Sequence, residues 1–310
     1  ILAEHRILGC RSAAPLAPPF QARSSMKRPR EEGQALIVGG RPRPALGAPR
    51  GSRPSSSTYV TGGQVVVISQ VEDVEDPDAE LKELTSRLDR CKGVLLSSSY
   101  EYPGRYAQWT LGFANPPLCL EAWNRRFRIK ALNARGIPLL PVILGVVKGC
   151  AHVAECTDSA DQIEGSVKEA SGFFSEEERS KQPSIFSLIR LIVELFSSDE
   201  DQHLGLYGAF GYDLAFQFEK VKLHKERDPE QRDLVLYLPD ELLVVNHQKQ
   251  SSYRMRYDFV CKSADGVCCT KGLVGGGSDV PFCAREELPP GVTNRELEAG
   301  QFAKFVDKAK

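Results

Sequence analysis

The spacing of apolar and polar positions changes character several times along this chain, and each change predicts a different element. Residues 64–69 (QVVVIS) are β-branched and continuous, the pattern of a buried strand. The acidic stretch 72–78 then leads into a helix that Asp76 or Asp78 can cap. Its Leu81, Leu84, Leu88 and Cys91 form one stripe at helical spacing. Gly93 stands where a left-handed C′ residue would end that helix, and VLLSSS follows as the next strand. Residues 118–123 and 127–132 alternate around a turn at Asn124-Arg125-Arg126, and a second turn at 133–136 precedes the apolar stretch 137–147. Together these predict an antiparallel meander with one solvated face.

Farther on the period lengthens again. Residues 150–181 are polar and acidic and read as an irregular or partly helical connection, after which Pro183 opens a helix at its first position. Ile185, Leu188, Ile189, Ile192, Leu195 and Phe196 give that helix a broad apolar face. Burying six such side chains contributes on the order of 10 kcal/mol before entropy is subtracted, so the helix must pack on something substantial. Gly205, Gly208 and Gly211 are spaced by three among Tyr207, Phe210, Tyr212, Phe216 and Phe218. Without a strand-turn-helix unit around them they are no phosphate loop, and they fit close backbone approach in an aromatic layer. Strands are predicted at 234–238, 241–246 and 253–260, a linker at 261–294, and a helix at 295–310 with Leu297, Phe302, Phe305 and Val306 on or near one face.

Composition narrows the possibilities. The 310 residues carry 40 basic and 41 acidic side chains, so no strong field is available to hold nucleic acid or a membrane surface. Apolar runs are too short to span a bilayer as a helix. Nine cysteines, an odd number without a C-x-x-C pair, predict a reducing compartment and mostly inert thiols. Cys150, His152 and Cys156 can be drawn as a zinc site, but three local ligands at that spacing fall short of one. Residues 1–57 are rich in Arg, Pro, Ser, Ala and Gly and cannot bury a core. They read as a leader, either disordered or an organelle transit peptide, which predicts a plastid location in the second case and a cytoplasmic one otherwise. Because Ile1 is not a methionine, the chain is expected to be a fragment at this end, with Met26 as an alternative start.

One stretch does not fit a plain strand. In LLSSSYEYPGRYAQW, residues 95–109, a strand runs into three serines and then into aromatics around Pro103-Gly104. Either the serines end the strand in a side-chain-to-backbone turn, or the stretch forms a ligand-binding corner.

Taken in order, YVTGGQVVVIS, LLSSSYEYPGRYAQW, NPPLCLEAW, GLYGAFGYDLAFQFE and RDLVLYLPDELLVVNH resemble the N-terminal half of the large component of anthranilate synthase, closest to the form fused with its glutamine amidotransferase. The resemblance covers residues 58–246 well and continues weakly to 310. It implies an α+β fold, a sandwich of antiparallel sheets with outer helices. Residues 58–260 would form the N-terminal domain, and 295–310 the first helix of a chorismate-binding domain. It implies a lyase that converts chorismate and glutamine-derived ammonia to anthranilate and pyruvate with Mg²⁺, in tryptophan biosynthesis and under tryptophan inhibition. Leu95-Leu96-Ser97-Ser98 matches the family's Leu-Leu-Glu-Ser inhibitor motif, so Leu96, Ser97 and Ser98 are the implied tryptophan contacts, with Ser97 in place of the glutamate. Tyr212 and Asp213 are candidates to support that pocket. The family's catalytic and Mg²⁺-binding residues lie in its other half, so no catalytic residue and no metal ligand are expected in this chain. Aminodeoxychorismate synthase, which shares fold and substrate, and a non-catalytic binding module are the alternatives.

Overall fold

The computed structural model describes residues 37–38, 41–42, 56–97, 109–170, 182–218, 227–263, 266–276 and 300–309. Two units are separated by contact: residues 1–280, and residues 281–310, of which the helix α4 (Gln301–Ala309) is described.

Within the first unit, β1 (Ile37–Val38) and β2 (Arg41–Pro42) form a two-residue ladder. The remaining strands form two antiparallel sheets. The strands of the seven-stranded sheet are β3 (Ser56–Val60), β4 (Val66–Asp73), β5 (Gly93–Leu96), β6 (Trp109–Ala114), β13 (Glu241–Asn246), β14 (Ser251–Ser263) and β15 (Gly266–Cys269). They run in the order β3-β4-β14-β13-β6-β5, with β15 pairing on β14. The six-stranded sheet contains β7 (Leu118–Trp123), β8 (Arg126–Ala131), β9 (Val153–Asp158), β10 (Gln162–Val167), β11 (Tyr207–Phe210) and β12 (Leu234–Leu238). Its order is β11-β12-β7-β8-β10-β9. The architecture is an α+β sandwich of two antiparallel sheets.

Leu120, Ile129, Ile163 and Leu236 from one sheet meet Val67, Phe113, Val244 and Phe259 from the other in one core. The helices α2 (Leu140–Lys148) and α3 (Ile185–Phe196) add to that same core. All six apolar residues of the α3 stripe are buried, as their spacing predicts. The helix α1 (Pro77–Leu88) packs instead on the other face of the seven-stranded sheet, where Leu84 joins Val74, Leu243 and Val245. Strand β13 is therefore covered on both sides: Leu242 and Val244 face the main core, Leu243 and Val245 face α1. That explains its unbroken apolar sequence.

Several elements differ from the sequence reading. Residues 137–147 form a 3-10 turn (Ile137–Leu139) running into α2, not a third strand of a meander. Pro138 and Pro141 fall in the first turns, where a missing N–H costs nothing; inside a sheet each would remove a ladder bond. Residues 153–167 are the hairpin β9–β10 rather than an irregular connection. β9 is an edge strand with most of its side chains exposed, which erases the alternation that would have revealed it. Gly165 lies where a Cβ would come 2.3 Å from the Glu155 carbonyl and 2.6 Å from the Phe127 ring. Gly93 is not a left-handed cap. It opens β5, where a Cβ would meet the Phe113 carbonyl at 2.3 Å, and Asp89 ends α1 in a right-handed conformation. Pro183 precedes the N-cap Ser184 and does not occupy the first helical position. Strand β14 runs past Cys261 and is met there by β15, so regular structure continues into the stretch read as linker. Leu297 lies outside the described residues, and Phe302, Phe305 and Val306 are exposed on α4.

Candidate functional site

Strand β5 ends at Leu96, which pairs in register with Leu111 of β6. Consecutive strand residues point to opposite faces, and the packing fixes which is which. Val94 and Leu111 pack on the main core, whereas Leu95 packs beneath α1. Leu96 therefore shares the core-facing side with Val94, and Ser97 shares the α1-facing side with Leu95.

On that second side the Ser97 hydroxyl lies 3.2 Å from Thr110 Oγ1, which in turn lies 2.8 Å from His247 Nε2. Thr110 is buried and sits in register with Val245. Three segments are thus tied by side chains at one end of the sheet: the end of β5, the start of β6 and the residue after β13. Ser97 itself is exposed.

The core-facing side of the same sheet end is different in kind. Asn246, the last residue of β13, pairs with Trp109 on one flank and with Ser251 on the other. Asn246 is fully buried and Ser251 nearly so. The Asn246 Oδ1 accepts from the backbone N–H groups of Gln248 and Lys249 at 3.0 and 2.9 Å, shaping the four-residue turn into β14. Its Nδ2, and the Ser251 hydroxyl, have no hydrogen-bond partner. Buried polar groups are ordinarily satisfied, so two unsatisfied neighbours mark this corner.

Of the sequence-predicted site residues, Leu96 and Ser97 lie at this sheet end, on opposite faces. Ser98 and the aromatic segment through Pro103-Gly104 lie outside the described residues. Tyr212 and Asp213 sit on the 3-10 turn Tyr212–Gln217 that follows β11 in the six-stranded sheet. Tyr212 is 85% exposed and contacts Phe216. Asp213 lies 2.9 Å from Arg227, whose guanidinium also pairs with the buried Asp233. Among the described residues no hydrogen bond or ring contact joins Tyr212 or Asp213 to Leu96 or Ser97. Thr110, Asn246, His247 and Ser251 were missed as a group in the sequence. One signal was available for Asn246: alternation along β13 puts it on the same side as Leu242 and Val244, so a polar side chain falls at a core position.

Thiol chemistry is not favoured at the buried cysteines. Burial pushes the Cys119 and Cys261 thiols up to about 12, and a neutral thiol is a poor nucleophile. Among the described residues no three His, Cys, Asp or Glu side chains converge on a point that would hold a metal ion. The Cys150–His152–Cys156 stretch makes no such group. No described helix is long and apolar enough to cross a membrane.

No family model matches the chain. Two curated proteins do. The chain is 38% identical over 235 residues to an anthranilate synthase of Azospirillum brasilense, a stretch covering 76% of this chain and 31% of that protein. It is 27% identical over 166 residues to anthranilate synthase component 1 of Serratia marcescens, covering 51% of this chain and 30% of the relative. The chain spans about a third of the length of these relatives. Over three quarters of its own length, then, it is similar to one protein that carries the name anthranilate synthase, and over half of its length to a second.

Proposed function

We propose that this chain is part of an anthranilate synthase large component and supplies its tryptophan-responsive N-terminal domain, residues 58–260. The observation that carries the reading is the 38% identity across 235 residues to the Azospirillum brasilense protein. The antiparallel α+β sandwich is the fold that the resemblance implies and so supports it. Both relatives bear the anthranilate synthase name, which favours this reading over aminodeoxychorismate synthase.

In the complete enzyme, chorismate and ammonia from a glutamine amidotransferase, fused or separate, yield anthranilate and pyruvate. Mg²⁺ serves that reaction with ligands from outside this chain, and the catalytic groups lie there as well. The chain's own part is binding. Tryptophan is held at the end of β5 by Leu96 and by hydroxyl groups of the serine run, Ser98 foremost. An apolar wall receives an indole, and hydroxyl groups offer hydrogen bonds to an amino acid's charged ends. Losing one such partner costs about 1–3 kcal/mol, the size of a typical allosteric coupling.

The test is a chimera in which the matched 235 residues replace their counterparts in the Azospirillum brasilense relative. Anthranilate formation from chorismate, followed by fluorescence, is expected, with inhibition by L-tryptophan. Ser98→Ala in the chimera is expected to weaken inhibition by roughly tenfold and leave uninhibited turnover nearly unchanged. A folded chimera that makes no anthranilate would count against the reading, and active but tryptophan-insensitive chimeras would remove its regulatory half.

A further inference from the structure

Two cysteines face each other across the last hairpin of the seven-stranded sheet. Strands β14 and β15 pair antiparallel in an unbroken register, Val260 with Cys269, Cys261 with Cys268, Lys262 with Val267 and Ser263 with Gly266. Residues directly opposite on antiparallel strands point to the same face, with Cα atoms roughly 4.5–5.5 Å apart. A disulfide spans Cα separations of about 4.4–6.8 Å. The backbone thus holds Cys261 and Cys268 within bonding range. Cys269, one residue on, points to the opposite face, and its Sγ accepts from the Lys271 N–H at 3.4 Å.

The two partners differ in access. Cys261 is buried in the main core, whereas Cys268 is exposed. Burial pushes the Cys261 thiol up to about 12, and the neighbouring Cys268 and Cys269 add to that rise. Cys261 therefore keeps its proton and does not start an exchange. The exposed Cys268 is the sulfur that an external oxidant meets first. Thr270, which ends the hairpin, is buried. Its N–H donates to the Phe259 carbonyl and its Oγ1 accepts from the Phe259 N–H, both at 2.9 Å, while its carbonyl accepts from Arg135 Nη1. A bond at Cys268 would clamp the strand that carries Thr270 into those contacts.

We propose that Cys261 and Cys268 form a reversible cross-strand disulfide, a redox clamp on the β14–β15 hairpin, with a small-molecule disulfide as the oxidant. In the first step the Cys268 sulfur bonds to one sulfur of the oxidant. The oxidant's own S–S bond breaks, and its other half leaves as a thiol with the Cys268 proton. In the second, the Cys261 sulfur, held directly opposite, bonds to that of Cys268. The mixed disulfide breaks, and the remaining half leaves as a thiol with the Cys261 proton. The two cysteines are oxidised and the small disulfide is reduced to two thiols. A dithiol reductant runs the sequence backwards.

The experiment incubates the whole chain with oxidised glutathione, blocks the remaining thiols with N-ethylmaleimide, and maps tryptic peptides by mass without reduction. Trypsin cuts after Lys262 and Lys271, so Cys261 and Cys268 fall on separate peptides, residues 257–262 and 263–271. The expected product is these two peptides joined, lighter than their sum by the hydrogens lost, and separated again by dithiothreitol. Cys269→Ser should keep the joined product and Cys268→Ser should lose it. Both side chains are exposed, so neither variant is expected to disturb folding. The oxidised parent should melt at a higher temperature than the reduced parent, because the bond restrains the unfolded chain, and Cys268→Ser should show no such difference. If Cys268 carries glutathione alone, or joins Cys269 or a second copy of the chain, or if the joined chain melts no higher, the proposal fails.

Discussion

Two polar clusters in the same sandwich have been treated in opposite ways. Around Arg135, every arm of the guanidinium is used. Its Nε pairs with Asp240, its Nη1 donates to the Thr270 carbonyl at 2.9 Å, and its Nη2 reaches the Tyr257 carbonyl at 2.6 Å and Asp258 at 3.1 Å. One half-buried cation thereby locks the turn before α2 to β14 and to the loop between β12 and β13. At the far end of β13, Asn246 and Ser251 are buried without such completion. The first cluster is satisfied by the fold alone. The second is not: Asn246 Nδ2 and Ser251 Oγ are buried without a partner.

A third cluster sides with the brace. Tyr59 donates to Asp201 at 2.8 Å, the other Asp201 oxygen accepts from the His203 backbone at 2.7 Å, and the Tyr253 hydroxyl lies 3.0 Å from His203 Nε2. Burial, reinforced by the nearby Asp201 charge, pushes the Tyr59 phenol far above its usual range. That hydroxyl stays protonated and works as a donor.

The comparison breaks most readily at Arg135. Arg135→Ala leaves the half-buried Asp240 without its cation, and stranding a sheltered polar group in this way costs about 1–3 kcal/mol. Urea unfolding should show that loss, whereas Ser251→Ala should shift stability by no more than ~0.5 kcal/mol. Equal losses in the two variants would erase the distinction.

An alkaline titration probes the six-stranded sheet, where Cys119 pairs with Tyr237, with a smaller effect. Burial raises the Cys119 thiol from 9.0 to about 12, and burial likewise raises Tyr237 from 10.0 to about 12. Below pH 9 both groups are protonated whether the chain is folded or not, and stability is unaffected. The unfolded chain releases the Cys119 proton above about pH 9 and the Tyr237 proton above about pH 10, protons that the folded chain keeps, so stability falls as pH rises through this range towards 12. Cys119→Ala should flatten the slope, and a pH-independent stability across this range would contradict the burial of both groups.

Much of the fold was legible because burial leaves a periodic trace. The stripe on α3, the strands β12 and β13 and the cap at Asp76, which accepts from the Ala79 N–H, follow from spacing and side-chain chemistry alone. Where the trace is faint, the reading went astray. The stretch 137–147 is apolar all round, and only Pro138 and Pro141 could have argued for helix over strand. The hairpin β9–β10 lies at a sheet edge, so its outer strand shows almost no apolar side chains. The candidate site was legible in part. Leu96 and Ser97 belong to a motif contiguous in sequence, but Asn246 and Ser251 lie about 150 residues away and meet the end of β5 only through the pairing of β6 with β13. No local pattern shows such a juxtaposition; it arises from sheet order.

The central claim is that this sandwich binds tryptophan at the open end of its seven-stranded sheet. The most direct measurement is the melting temperature of the chain with and without a saturating concentration of L-tryptophan, with L-leucine as the control. A ligand held at 100 times its dissociation constant stabilises the folded state by about 2.7 kcal/mol, which for a chain of this size is a rise of several degrees. A rise with L-tryptophan and none with L-leucine is the predicted result. No rise at saturating L-tryptophan, in a chain that melts cooperatively, would contradict it.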